Sequence, residues 1–67
     1  MADLEKLKQT MKESGMTIKS IAERAGIERH TLDRRLKGEG DFRASEIVGL
    51  TRALRLSASE RNEIFLS

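Results

Sequence analysis

Four basic side chains lie within nine residues near the middle of the chain: Arg29, Arg34, Arg35 and Lys37. Guanidinium and ammonium groups donate several charge-assisted hydrogen bonds, so a cluster of them suits an anionic ligand. An arginine also presents a planar fork that can donate two hydrogen bonds to a pair of acceptors. An exposed helix face in contact with water would have the same residue types. The cluster alone does not separate these two interpretations.

The position of the charge is more informative than its sum. The 67 residues carry 13 Lys and Arg against 11 Asp and Glu, a net charge of +2. Residues 1–16 and 44–67 are each balanced, whereas residues 17–43 hold seven basic and five acidic side chains. The whole excess therefore surrounds the basic cluster. A nucleic-acid binder is compatible with this balance but is not required by it.

Other kinds of chemistry lack the necessary side chains. The chain has no Cys and one histidine, His30, which excludes disulfides, a Cys-based zinc site and a multi-histidine metal site. No carboxylate pair has a spacing with an evident catalytic purpose, so we expect no enzyme activity, cofactor or metal. No apolar run approaches the ~18 residues of a membrane span, and no leader peptide is recognisable. We expect a soluble intracellular protein with no membrane partner and no room for a domain that binds a small-molecule ligand.

The apolar spacing divides the chain into helical segments. The absence of Pro and the abundance of Leu, Ala, Glu, Lys and Arg favour helix throughout. Thr17 is a predicted N-cap, and Ser57 with Glu60 has the pattern of a capping box. Phe42, in a short loop, is expected to fold back onto the core. The pattern predicts one all-α domain over residues 1–67, with helices at about 2–14, 18–25, 28–37, 44–55 and 58–66.

The second and third segments form the most specific pattern in the sequence. A helix of eight residues, a turn centred on Gly26 and a second short helix make a helix-turn-helix. We expect Ala22 to be small because the partner helix crosses close to it, and Gly26 to supply the positive φ of a tight turn. The expected core of the motif is Ile21, Ala22, Gly26, Ile27, Leu32 and Leu36.

This region resembles a known family. The helix-turn-helix of the lambda-repressor/Cro-like, or XRE-type, DNA-binding domains is similar to the run Thr17-Ile-Lys-Ser-Ile-Ala-Glu-Arg-Ala-Gly-Ile-Glu-Arg-His-Thr-Leu-Asp-Arg-Arg-Leu-Lys-Gly38. The resemblance extends through the fourth and fifth segments and is closest to small stand-alone regulators of phages and prophages. It implies a compact five-helix domain with the helix-turn-helix at helices two and three.

The resemblance also implies a function. It implies a sequence-specific regulator of transcription, a repressor or Cro-like protein, that binds double-stranded DNA with residues 28–37 in the major groove. The cytoplasm of a bacterial or phage-infected cell, in association with the nucleoid, is the expected location. The chain departs from the family at Ile18, where the family often has a Gln that binds phosphate, at Glu28, a poorer cap, and at Arg35, a slot that is often apolar.

The expected DNA contacts lie on and around the third helix. Leu32 and Leu36 define its buried side, and the first turn of a recognition helix is where side chains reach base edges. The expected base-reading residues are Arg29, His30, Asp33, Arg34 and Lys37. The expected phosphate contacts are Thr17, Lys19, Thr31, Arg35 and Arg43.

Roles within this set differ. Arg29 is the first choice for a bidentate contact to guanine. Asp33 either accepts from cytosine or orients Arg29 or Lys37, and His30 either contacts DNA or is solvated. The acidic residues of the same face are expected to weaken non-specific binding.

The C-terminal region suggests self-association. Three adjacent apolar residues of the fifth helix cannot all face inward, and a glycine inside a helix costs about 1 kcal/mol relative to alanine. Close approach of another backbone would explain that glycine. We expect a weak homodimer, with a possible surface of Val48, Gly49, Ile64, Phe65 and Leu66. The alternatives are a module of the same fold that binds a protein, like an antirepressor or antitoxin, and a helical bundle whose basic helix is only solvated.

Overall fold

The computed structural model describes residues 2–66, and over this range the chain forms five α-helices and no strand. The helices are α1 (Leu4–Glu13), α2 (Ile18–Ala25), α3 (Arg29–Leu36), α4 (Ala44–Ala53) and α5 (Ala58–Phe65). The all-α prediction is confirmed, and each helix lies within its predicted range. The predicted domain of residues 1–67 also includes Met1 and Ser67, which lie outside the described residues.

Side-chain caps fix where three of the helices begin. Backbone N–H groups one turn into α1, α2 and α5 donate to Asp3, Thr17 and Ser57 over 3.1, 3.0 and 3.0 Å. Each bond satisfies a donor that the helix itself leaves without a partner. The reciprocal half of the capping box is present in α5, because the Ser57 N–H donates to Glu60. Glu28 makes no side-chain cap at α3, as expected from its residue type.

The core takes one fully buried side chain from each helix. Leu7, Ile21, Leu32, Leu50 and Ile64 have no exposed surface. Burying a side chain of this size contributes roughly 1.5–3 kcal/mol, and each helix supplies one such side chain. The five helices therefore enclose a common centre.

Phe42 packs on the edge of this core. Its ring lies against Phe65, with centroids 5.3 Å apart and the planes at 74°. This edge-to-face geometry is one that aromatic pairs prefer. The loop between α3 and α4 is thereby attached to the end of α5, as predicted for Phe42.

Gly49 lies where α4 crosses α2. A Cβ atom at this position would lie 2.9 Å from the carbonyl carbon of Ala25 and 3.2 Å from its Cα. Non-bonded carbon atoms prefer separations of about 3.5–4.0 Å, so the two backbones can approach this closely only through glycine. The approaching backbone belongs to the same chain. This corrects the expectation that Gly49 lies on a dimer surface.

The apolar end of α5 is mostly internal. Ile64 is fully buried and Phe65 is 6% exposed, whereas Leu66 is 73% exposed. The Ile64 carbonyl accepts a hydrogen bond of 2.6 Å from the Asp3 N–H, and Glu63 forms an ion pair with Lys6, so α5 closes against α1. Ile64 and Phe65 are thus core residues, which corrects their assignment to a dimer surface. Val48 and Leu66 remain exposed.

Candidate nucleic-acid interface

The outer face of α3 carries exposed polar side chains. Leu32 and Leu36, one helical turn apart, hold the opposite side of α3 in the core. The residues that this arrangement leaves exposed are Arg29, His30, Arg34 and Lys37. Asp33 and Thr31 are half-buried at the edges of the face. Four of the five residues expected to read bases therefore lie on α3, and the fifth, Lys37, directly follows its last residue; all of them except Asp33 are exposed.

The turn before α3 sets its direction. Gly26 has φ 71° and ψ 29°, the left-handed conformation that glycine adopts without steric cost. The next residue, Ile27, donates its N–H to the Ala22 carbonyl over 2.9 Å and is buried. A Cβ at Gly26 would meet no atom within 4 Å. The glycine is needed here for its backbone conformation and not for space.

A polar depression of about 500 Å³ lies between α3 and the start of α4. It is lined in part by Thr31 and Arg34 from α3 and by Arg43 and Ser45 from the beginning of α4. Three of these four residues were expected to contact DNA from the sequence. Ser45 was not, although a hydroxyl in the first turn of a helix was available as a signal. The partial positive charge of a helix N-terminus suits an anion such as phosphate, although Glu28 and Glu46 also line the depression and the Arg43 N–H already donates to Glu46.

The start of α2 flanks the other end of α3. Ile18 and Leu36 line a common apolar depression, and the residues on either side of Ile18 in the chain, Thr17 and Lys19, are exposed. Lys8 and Lys12 of α1 line the same depression. Sequence reasoning did not assign these two lysines, although their spacing of four residues places them on one face of α1. Cationic side chains therefore line both of the depressions that border α3.

Acidic neighbours engage two members of the exposed face. The Nδ1 of His30 lies 2.9 Å from a carboxylate oxygen of Glu28, and the Nε of Arg34 lies 3.7 Å from one of Glu39. Within residues 2–66, no carboxylate lies within ion-pair distance of Arg29.

Two other members of the face have no such pairing. In the same described range, Lys37 has no carboxylate within ion-pair distance, and no hydrogen bond joins Asp33 to Arg29 or Lys37. Arg29 and Lys37 are thus the face's cations with no internal partner in the part of the chain described.

Arg35 has a structural role instead of the phosphate contact expected from the sequence. Its guanidinium donates to both carboxylate oxygens of Glu46, over 3.1 and 3.4 Å, and to the carbonyl of Glu39 over 3.4 Å. The side chains of Arg35 and Glu46 are 14% and 12% exposed. The ion pair joins α3 to α4, which corrects the assignment of Arg35 as a DNA contact and explains an arginine at a slot that is often apolar.

The surroundings of Glu46 favour its ionised form. Burial by itself raises the pKa of the Glu46 carboxyl, but the hydrogen bond from the Arg43 N–H and the guanidinium of Arg35 together hold this pKa below its ordinary value. The bond from Arg43 measures 2.9 Å and also fixes the first turn of α4. The same carboxylate therefore positions the α4 side of the polar depression.

Neither a metal centre nor a membrane span is found in the described structure. Across residues 2–66, no group of three or more Asp, Glu or His side chains is arranged to hold a metal ion. None of the helices described here is both long enough and apolar enough to cross a bilayer.

Comparison with known proteins gives one result. A family model described as a helix-turn-helix domain matches residues 5–64, which include α2, α3 and α4 entirely and nearly all of α1 and α5. No curated protein and no solved structure gives a significant match.

Proposed function

The chain belongs to the helix-turn-helix domain family, and on that premise we propose that it is a sequence-specific, double-stranded DNA-binding regulator of transcription, a repressor or Cro-like protein. The observation that carries the proposal is the exposed face of α3, on which Arg29 and Lys37 have no carboxylate partner within residues 2–66. A role in binding DNA, with no catalytic step, accounts for two exposed cations that have no carboxylate partner within residues 2–66. A DNA-binding function would place the chain at the nucleoid of a bacterial cell.

Base recognition is assigned to the face of α3. Arg29 stands in the first turn, where a side chain reaches farthest into the major groove, and its fork matches the O6 and N7 acceptors of guanine. Arg34 is the second candidate, because its contact with Glu39 is long and exposed and is readily exchanged for a base. His30, Asp33 and Lys37 complete the proposed set.

Phosphate contacts are assigned to the two ends of this helix. Thr17 accepts the Ser20 N–H with its hydroxyl oxygen, which leaves the hydroxyl hydrogen available for a phosphate. Lys19 lies beside it, while Thr31 and Arg43 line the polar depression at the other flank. Such contacts fix the register of a protein on the duplex without reading its sequence.

The proposed oligomeric state differs from the weak homodimer expected from the sequence. Of the five residues considered for a dimer surface, only Val48 and Leu66 are exposed. Two separate side chains supply little of the roughly 800 Å² per partner that a standard interface buries. We propose that the chain is a monomer in solution and that two copies meet only where DNA offers two half-sites.

Selection from random sequence tests the proposed function. The wild type should enrich one DNA motif, and its affinity, followed by fluorescence anisotropy, should fall with salt by a log–log slope of about 0.9 for each phosphate contacted. Arg29→Ala should lose roughly 1–3 kcal/mol of discrimination at one base pair of the motif. Lys37→Ala should lower affinity.

Arg52→Ala is the matched control, because Arg52 is an exposed arginine of α4 that lines neither depression beside α3. It should leave the motif and the affinity unchanged. If Arg29→Ala and Lys37→Ala also change neither, α3 is not the recognition helix.

A further inference from the structure

A groove lined by apolar and cationic side chains lies between α4 and α5. We call its apolar residues, Val48 and Leu56, the floor, and its three arginines, Arg52, Arg55 and Arg61, the rim. The groove has a volume of about 430 Å³ and is lined by Val48, Thr51, Arg52, Arg55, Leu56 and Arg61. Val48 is 54% exposed, although it is a branched aliphatic residue. No carboxylate is among the lining residues. We call this feature the α4–α5 groove; it shares no lining residue with the depressions beside α3.

The positive charge of the rim is not neutralised within the described structure. Across residues 2–66, no carboxylate lies within ion-pair distance of Arg52, Arg55 or Arg61. In the described part of the chain, the Arg61 guanidinium donates hydrogen bonds only to the neutral amide oxygen of Asn62, over 3.2 and 3.3 Å. Arg35, by contrast, is fully engaged by Glu46. The three guanidinium groups of the groove keep their capacity to bind a carboxylate.

The backbone of Arg55 is a second, independent observation. Arg55 follows the end of α4 with φ 52°, the one positive φ of a non-glycine residue in the described chain. The equivalent positions after α1, α2 and α3 are Gly15, Gly26 and Gly38. Glycine is the favoured residue there because it has no Cβ to crowd the following carbonyl. The chain keeps an arginine in a strained conformation at the one helix end that borders this groove.

We propose that the α4–α5 groove binds an acidic segment of another protein, in which Asp or Glu residues flank a large aliphatic or aromatic side chain. The apolar side chain would lie against Val48 and Leu56, and the carboxylates would accept hydrogen bonds from the three guanidinium groups. The proposal does not depend on DNA binding, because the groove is separate from the face of α3.

Two other occupants fit less well. A DNA backbone carries phosphates for the arginines but offers no apolar group to cover Val48. A second copy of the chain, related by a two-fold axis, would place the same patch against itself. Three arginines of one copy would then face three of the other, and like charges repel. An acidic peptide satisfies both the floor and the rim.

A displayed library of random twelve-residue peptides tests the proposal. The library is selected on the immobilised chain and counter-selected on an Arg52→Ser/Arg61→Ser variant, and enriched peptides are synthesised with a fluorescent label. We expect peptides that combine several acidic residues with an aliphatic or aromatic one. By anisotropy, Arg52→Ser, Arg55→Gly and Arg61→Ser should each weaken binding about twofold to fivefold, as for exposed ion pairs. Added salt should weaken it further.

Arg55→Gly separates binding from folding. It removes the guanidinium and also relieves the strained backbone, so its thermal midpoint should equal or exceed that of the wild type while the peptide affinity falls. Arg24→Ser, a change at an exposed arginine of α2 that does not line the groove, should leave the peptide affinity unchanged. A thermal midpoint lowered by Arg55→Gly, with peptide affinity unchanged, would show that Arg55 serves the fold alone.

Three further outcomes would overturn the proposal. Enriched peptides without acidic residues would exclude the assigned chemistry. If the groove variants weakened binding to duplex DNA as much as Arg29→Ala does, the arginines would be phosphate contacts. If they abolished a dimer seen by sedimentation, the occupant would be a second copy.

Discussion

At the scale of single residues, three arginines close together in the chain have different surroundings. Arg29 is exposed and has no carboxylate partner within residues 2–66, Arg34 lies 3.7 Å from a carboxylate oxygen of Glu39, and Arg35 is largely buried against Glu46. The three guanidinium groups therefore contribute to different properties of the protein. Arg29 is available to a ligand, whereas Arg35 stabilises the contact between α3 and α4. Substitutions at these two positions should separate binding from stability.

The Glu46 carboxylate predicts a loss of stability in acid. The pKa of Glu46 in the folded protein lies below the ordinary value of 4.5. The ionised carboxylate therefore stabilises the folded state relative to the unfolded chain. This contribution is complete above pH 4.5 and is lost as the pH falls through the lower, folded-state pKa. Hydrogen bonds from Ser57 and Lys6 lower the pKa of Glu60 and Glu63 in the same way. Glu46 should therefore account for part of the acid sensitivity.

Glu46→Gln tests this contribution by urea unfolding between pH 3 and 7. The variant should be less stable at pH 7 by about 1–3 kcal/mol, because Arg35 loses its ionised partner. Its stability should also fall less steeply below pH 4.5. Glu23→Gln is the control, since Glu23 is exposed and makes no side-chain hydrogen bond or ion pair in the described structure. Parallel pH profiles for wild type and Glu46→Gln would contradict the prediction.

At the scale of helices, two features determine how the helices are arranged. They are the packing of α2 on α4 and the conformation of the residues that end the helices. α2 packs more extensively on α4 than on α3, its partner in the helix-turn-helix. α4 therefore supports the helix-turn-helix through its contact with α2, and the backbones of the two helices come close together at Gly49 and Ala25. Four of the five helices end with a residue of positive φ, which is glycine after α1, α2 and α3 and Arg55 after α4, whereas Leu66 at the end of α5 has φ −118°.

Gly49→Ala should destabilise the fold. The added Cβ would meet the backbone of Ala25, so the two helices must separate, and overpacking of this kind costs typically 1–3 kcal/mol. This loss should exceed the gain in helix propensity of about 1 kcal/mol, because the atoms that the Cβ would meet belong to the backbone of Ala25 and cannot rotate away. The measurement is chemical denaturation followed by circular dichroism. Val48→Ala, one residue away but exposed, should change stability by less than about 0.5 kcal/mol. A more stable Gly49→Ala variant would show that the crossing has room for a Cβ.

One substitution should have opposite effects at two sites in the same region. Arg55→Gly should stabilise the chain by up to about 1 kcal/mol, because glycine adopts a positive φ without the Cβ penalty. Arg52→Gly, within α4, should destabilise it by about 1 kcal/mol through the lower helix propensity of glycine. Thermal and urea unfolding of the two variants measure both. Equal changes of the same sign would mean that the left-handed backbone at Arg55 is not strained.

At the scale of the whole molecule, the core leaves little apolar surface for self-association. Each helix contributes one fully buried side chain to a common centre, and Ile64 and Phe65 are part of it. The large hydrophobic residues that remain exposed within residues 2–66 are Ile18, Val48 and Leu66. Without DNA, the protein should therefore be a monomer.

Sedimentation equilibrium at concentrations up to about 100 μM should give 7.6 kDa, the mass of one chain, in the absence of DNA. Leu66→Ser should leave this mass unchanged. A mass that rises with protein concentration and returns to that of one chain in Leu66→Ser would instead establish a dimer through the end of α5.

Local features of the fold could be predicted from the sequence because they depend on residues a few positions apart. The cap at Thr17 involves Ser20, the capping box joins Ser57 to Glu60, and the turn depends on the conformation of Gly26. The helices and the exposed face of α3 followed from the same local rules, together with the spacing of Leu32 and Leu36.

The fates of Arg35, Gly49 and the end of α5 were decided by the tertiary structure alone. The partner of Arg35 is Glu46, Gly49 meets Ala25, and Glu63 closes on Lys6. These partners are 11 to 57 residues apart in the chain. A helical wheel gives the direction in which a side chain points from the helix axis, but it does not identify the residue of another segment that the side chain contacts. The sequence by itself therefore determined the helices, the turn and the basic face, while the packing of distant segments decided which polar and apolar groups remained available for binding.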